Sequence, residues 1–170
     1  QVATESDIII ASEESLFTHP SFRYIAETSP MMAWMNTIGY QKAAEMALTG
    51  RPFTAEELYQ AGLVNRVVPR EKLEEEVMEY ATAIAKLPLD ILLVQKHFLQ
   101  TLRAIRHDSM AGDLLSAFGH VISTYMKPEP GDFVVLKEVS KGGPKGAIDR
   151  REARYPPRWR LSYKGRAAKE

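Results

Sequence analysis

Residues 48–69 spell out a helix start, a helix stop and a strand, and they constrain the fold more than any other part of the chain. Thr54-Ala55-Glu56-Glu57 is a capping box, in which the Thr hydroxyl and the Glu carboxylate each satisfy a free backbone N–H. Gly62 ends the helix that this box opens. Leu63-Val64-Asn65-Arg66-Val67-Val68 follows as a strand, and Pro69 closes it because proline brings no N–H to a ladder. A short helix feeding directly into a strand predicts an α/β core.

The rest of the chain fits around that unit. Residues 7–12 read as a short strand whose three consecutive Ile side chains suit burial on both faces. Residues 16–20 read as a second strand ended by Pro20, and residues 21–30 as a loop. A helix is expected over 31–39, with Ser29 as N-cap and Pro30 in its first position, continuing through 40–48 to a stop at Gly50. Leu73, Val77, Tyr80, Ala81 and Ile84 recur at helical spacing, and Pro88 opens a long helical stretch to Met126 with a break near His107-Asp108-Ser109. Residues 133–139 form a further helical piece, Gly142-Gly143-Pro144 interrupts it, and residues 147–155 form a charged helix ended by Pro156-Pro157. The Arg- and Lys-rich remainder is expected to be a mobile or docking tail. No internal repeat is present. The reading divides the chain into a core part, 1–87, and a helical C-terminal region with its charged tail, 88–170.

Composition removes several function classes. The chain has 170 residues, 45% hydrophobic and 26% charged, as in an ordinary globular protein. Lys+Arg and Asp+Glu both number 22, so the basic excess of a nucleic-acid binder is missing. There is no cysteine, which excludes disulfides, thiolate nucleophiles and Cys-based zinc sites. No apolar run would span a bilayer and no helix has a strongly basic amphipathic face, so no membrane partner is expected. No basic-then-apolar leader opens the chain, and a cytoplasmic location is expected. The chain lacks an initiator Met and reaches Ile8-Ile9-Ile10 soon after Gln1, so it is expected to start inside a longer gene product.

Residues 48–69 closely resemble the enoyl-CoA hydratase/isomerase (crotonase) pattern L-T-G-x-x-[FIL]-[ST]-A-x-E-A-x-x-x-G-L-V-x-x-V-V-P. Other stretches agree in order. Residues 7–12 resemble the family's C-D-[IL]-x-[IV]-A-[AS] strand, and residues 17–20 its F-G-x-P-E stretch. Ile38, Gly39, Ala43, Glu45 and Met46 match its I-G-x-x-x-A-x-E-[LM] helix, and residues 146–155 its closing helix. The resemblance implies the last turns of a crotonase-like β-β-α spiral, followed by a helical region that packs in homotrimers, often paired into hexamers. It also implies an acyl-CoA thioester as partner, with coenzyme A part of the substrate and no separate cofactor. The thioester oxygen then rests in a hole of two backbone N–H groups, both supplied upstream of Gln1, where they stabilise enolate-like charge.

The family's two hydratase glutamates have no counterpart here. One falls six residues before the Asp of the first strand, at Gln1, whose amide orients a water but does not take a proton as a carboxylate does. The other follows the Pro of F-G-x-P-E, and Ser21 stands there; a Ser without a His–Asp partner is a poor base, and a polar loop residue is the preferred reading. Members that move a double bond carry a Glu twelve residues before the Gly of the I-G motif, which is Glu27 relative to Gly39. One carboxylate suffices for isomerisation, because the same group removes and returns the proton. Glu27 is the leading acid–base candidate; its competing reading is a solvated loop charge or a complement to a helix dipole. His19 is the second, with an imidazole suited to proton transfer near neutrality, against a packed structural His.

Gln1, Pro20, Tyr24, Thr28 and Trp34 are the candidate substrate contacts. Arg23 and Tyr24 either reach an acyl or phosphate group or face solvent, the latter being preferred. Met31, Met32, Trp34 and Met35 either line an acyl pocket or pack a short helix. The family's Gly-rich loop is replaced by Glu27-Thr28-Ser29-Pro30, which restricts backbone approach to a ligand. His97, His107 and His120 are spaced unsuitably for a metal, and none is expected. Arg150, Arg151, Arg154, Arg158, Arg160, Lys164 and Arg166 either touch CoA phosphates across a subunit boundary or stay solvated. The expected function is an acyl-CoA-processing enzyme of fatty acid metabolism, a lyase or isomerase that stabilises an enolate for double-bond isomerisation or hydration. Two alternatives stand beside it: a CoA thioester or C–C bond hydrolase of the same fold, and a non-catalytic acyl-CoA-binding subunit.

Overall fold

The computed structural model describes residues 2–23, 31–106, 117–118, 121, 125 and 127–161, and the side chains of all of these except Val2, Ser21 and Met32. After a single helical turn, α1 (Val2–Glu5), the chain enters β1 (Ile10–Ser12). β1 starts later than the Ile run suggested. Ile8 is 42% exposed and Ile9 and Ile10 are half-buried, so only the last part of the run is covered.

β1 pairs in parallel with β4 (Arg66–Val68), in the register Ile10 with Arg66, Ala11 with Val67 and Ser12 with Val68. Parallel neighbours need a long crossover. Here it consists of α2 (Met31–Ile38), α3 (Tyr40–Thr49) and α4 (Ala55–Gln60). The crossover is itself pinned midway. β2 (Leu16–Phe17) pairs antiparallel with β3 (Phe53–Thr54), placing Phe17 opposite Phe53. The sequence reading carried the second strand to residue 20 and missed β3, which is only two residues long.

Gly39 separates α2 from α3, which the periodicity had run together. Its φ of 81° is a left-handed conformation that a side chain disfavours. α3 ends at Gly50, also left-handed (φ 63°), whose N–H bonds the Met46 carbonyl at 2.9 Å. α4 begins as its capping box dictates: Glu57 N–H donates to Thr54 Oγ1 at 3.2 Å, and Thr54 N–H donates to Glu57 Oε2 at 2.8 Å. Phe53, Ala55 and Leu58 are wholly buried around this start, with Met46, Trp34, Ile38 and Val64 packed on them. Burying a side chain the size of Phe53 or Leu58 contributes roughly 1.5–3 kcal/mol. Arg51 covers the cluster's rim, with its guanidinium 4.1 Å from the Phe53 ring centre and paired with Glu45 (2.8 Å) and Glu57 (2.9 Å).

The described residues of the C-terminal half are mainly helical, and the expected break near His107-Asp108-Ser109 lies outside the described residues. α5 (Leu73–Ala85) packs on β1 and α6 (Leu89–Ile105) follows Pro88. Polar contacts tie α6 to the N-terminal residues: Lys96 pairs with Asp7, and Arg103 bonds the Thr4 carbonyl at 2.9 Å and forms an ion pair with Glu5 at 3.6 Å. α7 (Val135–Ala153) is kinked where Gly142-Gly143-Pro144 predicts it, with Gly143 at φ 71°. Arg150 reaches back across the kink to Glu138 at 2.6 Å. A 3-10 turn, Pro157–Trp159, completes the described chain.

Candidate functional site

Three of the candidate residues, His19, Pro20 and Ser21, follow one another at the exit from β2. β2 ends at Phe17, and Pro20, whose ring presets φ near the helical value, opens a 3-10 turn, Pro20–Arg23. This turn replaces the start of the expected loop. Its Phe22 N–H bonds the His19 carbonyl at 3.2 Å. The His19 ring is half-buried and lies 5.6 Å from the Phe22 ring at a tilt of 49°. His19, Pro20 and the backbone of Ser21 thus share one short turn, with Pro20 at the surface. Just before them, the Thr18 hydroxyl is buried and has no hydrogen-bond partner among the described residues.

Gln1, Tyr24, Glu27 and Thr28, together with Ser29, Pro30, His107, His120, Lys164 and Arg166, lie outside the described residues. Trp34 is 3% exposed and belongs to the hydrophobic core, with Met31 and Met35 half-buried beside it. His97 lies exposed on α6. Among the described residues no three His, Asp or Glu side chains cluster closely enough to hold a metal ion. A cavity of about 470 Å³ opens between Phe133, Lys137, Lys141, Arg150 and Arg154, and one of about 280 Å³ between Asp7, Ala33, Lys96 and Arg103. His19 borders neither.

Arg23 overturns its expected surface role. Its side chain is fully buried and makes contacts in four directions. Nε donates to the Gly50 carbonyl at 3.0 Å, Nη1 to Glu152 Oε1 at 3.2 Å, and Nη2 to the Trp159 carbonyl at 2.5 Å. The guanidinium carbon also sits 3.7 Å over the centre of the Tyr155 ring. Burial pulls the Arg23 pKa below its usual value, against the opposing pull of Glu152 and Tyr155; a guanidinium remains charged regardless. Glu152 is held in turn by Arg151 at 3.0 Å and by the Leu161 N–H at 2.6 Å.

The tail is correspondingly not free as far as Leu161. Arg150 and Arg151 are ion-paired, Arg154 bonds the Gly131 carbonyl at 3.2 Å, and Arg160 bonds the Tyr155 carbonyl at 3.4 Å. Sequence reading missed this cluster because 129 residues separate Arg23 from Glu152. The one available signal was Gly50. A Cβ there would come within 2.6 Å of Arg23 Cγ, so the glycine serves both the helix stop and the passage of Arg23.

A model of the family described as enoyl-CoA hydratase/isomerase matches residues 1–126. The rat protein named enoyl-CoA hydratase domain-containing protein 3, mitochondrial, is 34% identical over 97 residues, covering 56% of this chain and 32% of its own. Mevalonyl-coenzyme A hydratase sidH of Aspergillus fumigatus is 36% identical over 88 residues, covering 51% and 33%. The crystal structure of an enoyl-CoA hydratase/isomerase from Xanthobacter autotrophicus Py2 superposes with a TM-score of 0.76 at 23% identity, over 91% of this chain and 57% of that one. The chain therefore spans about a third of the length of these curated relatives, and its architecture is a partial crotonase fold.

Proposed function

Because the chain belongs to the enoyl-CoA hydratase/isomerase family, we propose that it acts in an acyl-CoA-processing enzyme whose principal acid–base group is Glu27. The observation that carries this reading is a substitution pattern. By the family resemblance, Gln1 and Ser21 stand where the two hydratase glutamates are expected, whereas Glu27, twelve residues before Gly39, stands where the isomerase carboxylate is expected. The chemistry follows from one carboxylate. It takes a proton from the carbon beside the thioester carbonyl, the electron pair shifts into the enolate, and backbone N–H donors hold the oxygen charge. The protonated acid returns the proton at the far end of the conjugated system, and the double bond has moved. His19, on the turn after β2, is the second group of this site.

The test is Glu27→Ala in the full-length protein. Turnover of enoyl-CoA substrates is expected to fall about 10²–10⁴-fold, the ordinary contribution of a positioned acid–base group. A wild-type rate would remove Glu27 from the mechanism. Appearance of free CoA, followed with a thiol reagent, would point to thioester hydrolysis instead. CoA binding with no turnover would point to a non-catalytic subunit, the reading favoured by the loss of both hydratase glutamates.

We further propose that the protein assembles as a homotrimer or a pair of trimers. Ile91, Val94, Phe98, Leu102 and Ile105 recur at three- and four-residue intervals along one stripe of α6, and all five are exposed. Such a stripe is the pattern of a helix that packs against a partner.

A further inference from the structure

We infer that Arg23 is a positioning residue: its buried guanidinium makes the C-terminal segment set the orientation of the turn that carries His19, Pro20 and Ser21. The inference rests on the reading of that turn as part of the site.

This one side chain bonds to three parts of the chain. Arg23 is the last residue of the 3-10 turn, so its Cα moves with the turn. Nε is bonded to Gly50, the left-handed stop of α3. Nη1 and Nη2 are bonded to Glu152 near the end of α7 and to Trp159 in the final turn. Tyr155 stacks on the remaining face. A planar fork with its donors engaged on separate elements has little freedom to rotate, unlike a point charge on a flexible stem. The clamp is braced from behind, because Glu152 also accepts from Arg151 and from the Leu161 N–H. The close approach at Gly50 closes the remaining direction, since a methyl group there would displace the Arg23 stem. At its other end the turn is joined to His19 by the Phe22 backbone bond and rests on the core through the Phe22 side chain. The Arg23 end of the turn is thus fixed from outside, in part by residues more than 100 positions away.

The experiment uses full-length protein carrying Arg23→Lys, Glu152→Gln or Gly50→Ala. Hydrogen exchange is read on a peptide covering residues 16–23 and, as control, on α5, which packs on β1. The expected result is exchange about tenfold faster at 16–23 in each variant with α5 within about twofold of wild type, the signature of local opening. The accompanying kcat falls about ten- to a hundredfold with KM little changed, as a small misplacement of reacting groups would produce. Arg23→Lys keeps the charge but not the fork, and full activity in that variant would overturn the inference. So would unchanged exchange at 16–23, an equal rise at α5, or a loosened turn with unaltered kcat. If wild-type protein turns over no acyl-CoA, the reading of the site fails and the exchange result alone decides the clamp.

Discussion

The Thr18 hydroxyl is the residue-scale feature that local chemistry explains least well. A buried hydroxyl without a partner costs about 1–3 kcal/mol, and Thr18 is in that state among the described residues. Thr18→Val keeps the shape and removes the polar atom. We expect stability to rise by about 1 kcal/mol, seen as a melting temperature a few degrees higher for a chain of this size. A loss of stability would mean that the hydroxyl has a partner after all. Individual residues were also the least legible level of the sequence. Position relative to motif picked out His19, Pro20 and Ser21, three consecutive residues just after β2. Arg23, two positions further on, looked like a solvated cation because nothing local shows that it meets Glu152, Tyr155 and Trp159. Long-range contacts of this kind leave no trace in periodicity or capping.

Elements were far more legible, and the capping box shows why. Thr54 and Glu57 lie three residues apart, so a local rule covers their whole interaction, and both predicted bonds are present. Thr54→Ala is expected to lower stability by about 1 kcal/mol in chemical denaturation, with no change in the slope of the transition. The same box gives a pH dependence. Burial raises the Glu57 pKa, but the Thr54 N–H and the Arg51 guanidinium outweigh it and hold the carboxyl below its usual value. A group depressed in the folded state stabilises above its unfolded pKa, about 4.3 for Glu, and that contribution is lost as the pH falls through the lower folded value. Glu57→Gln should therefore be less stable than wild type near neutrality and lose less stability on acidification; parallel pH profiles for the two proteins would exclude the effect. Where element reading failed, it failed through length or backbone freedom. β3 has two residues, too few for any alternation to register, and Gly39 breaks a continuous apolar pattern by a conformation that hydrophobicity does not encode.

At the scale of the molecule, α6 faces two ways. Its inward contacts are polar, with Lys96 on Asp7 and Arg103 on Thr4 and Glu5. Its apolar stripe points away, with Val94 69%, Phe98 62% and Ile105 64% exposed. Burying such side chains is worth roughly 1.5–3 kcal/mol each, so five of them supply a strong drive for association. Two coverings are possible in the complete protein: other parts of the same polypeptide, or α6-bearing copies of it. The heptad-like spacing and the polar inward face favour copies, since a helix already docked by ion pairs leaves its apolar side for a partner. Phe98→Asp places a charge in the middle of the stripe, where desolvating it without a counter-ion costs several kcal/mol. In the full-length protein we expect this variant to keep its circular dichroism spectrum and melting behaviour as a monomer, while light scattering shows that it does not form the proposed trimer. A variant that no longer folds would place the stripe inside the subunit. A variant that still assembles would take α6 out of the interface, and the proposed trimer would then need another surface.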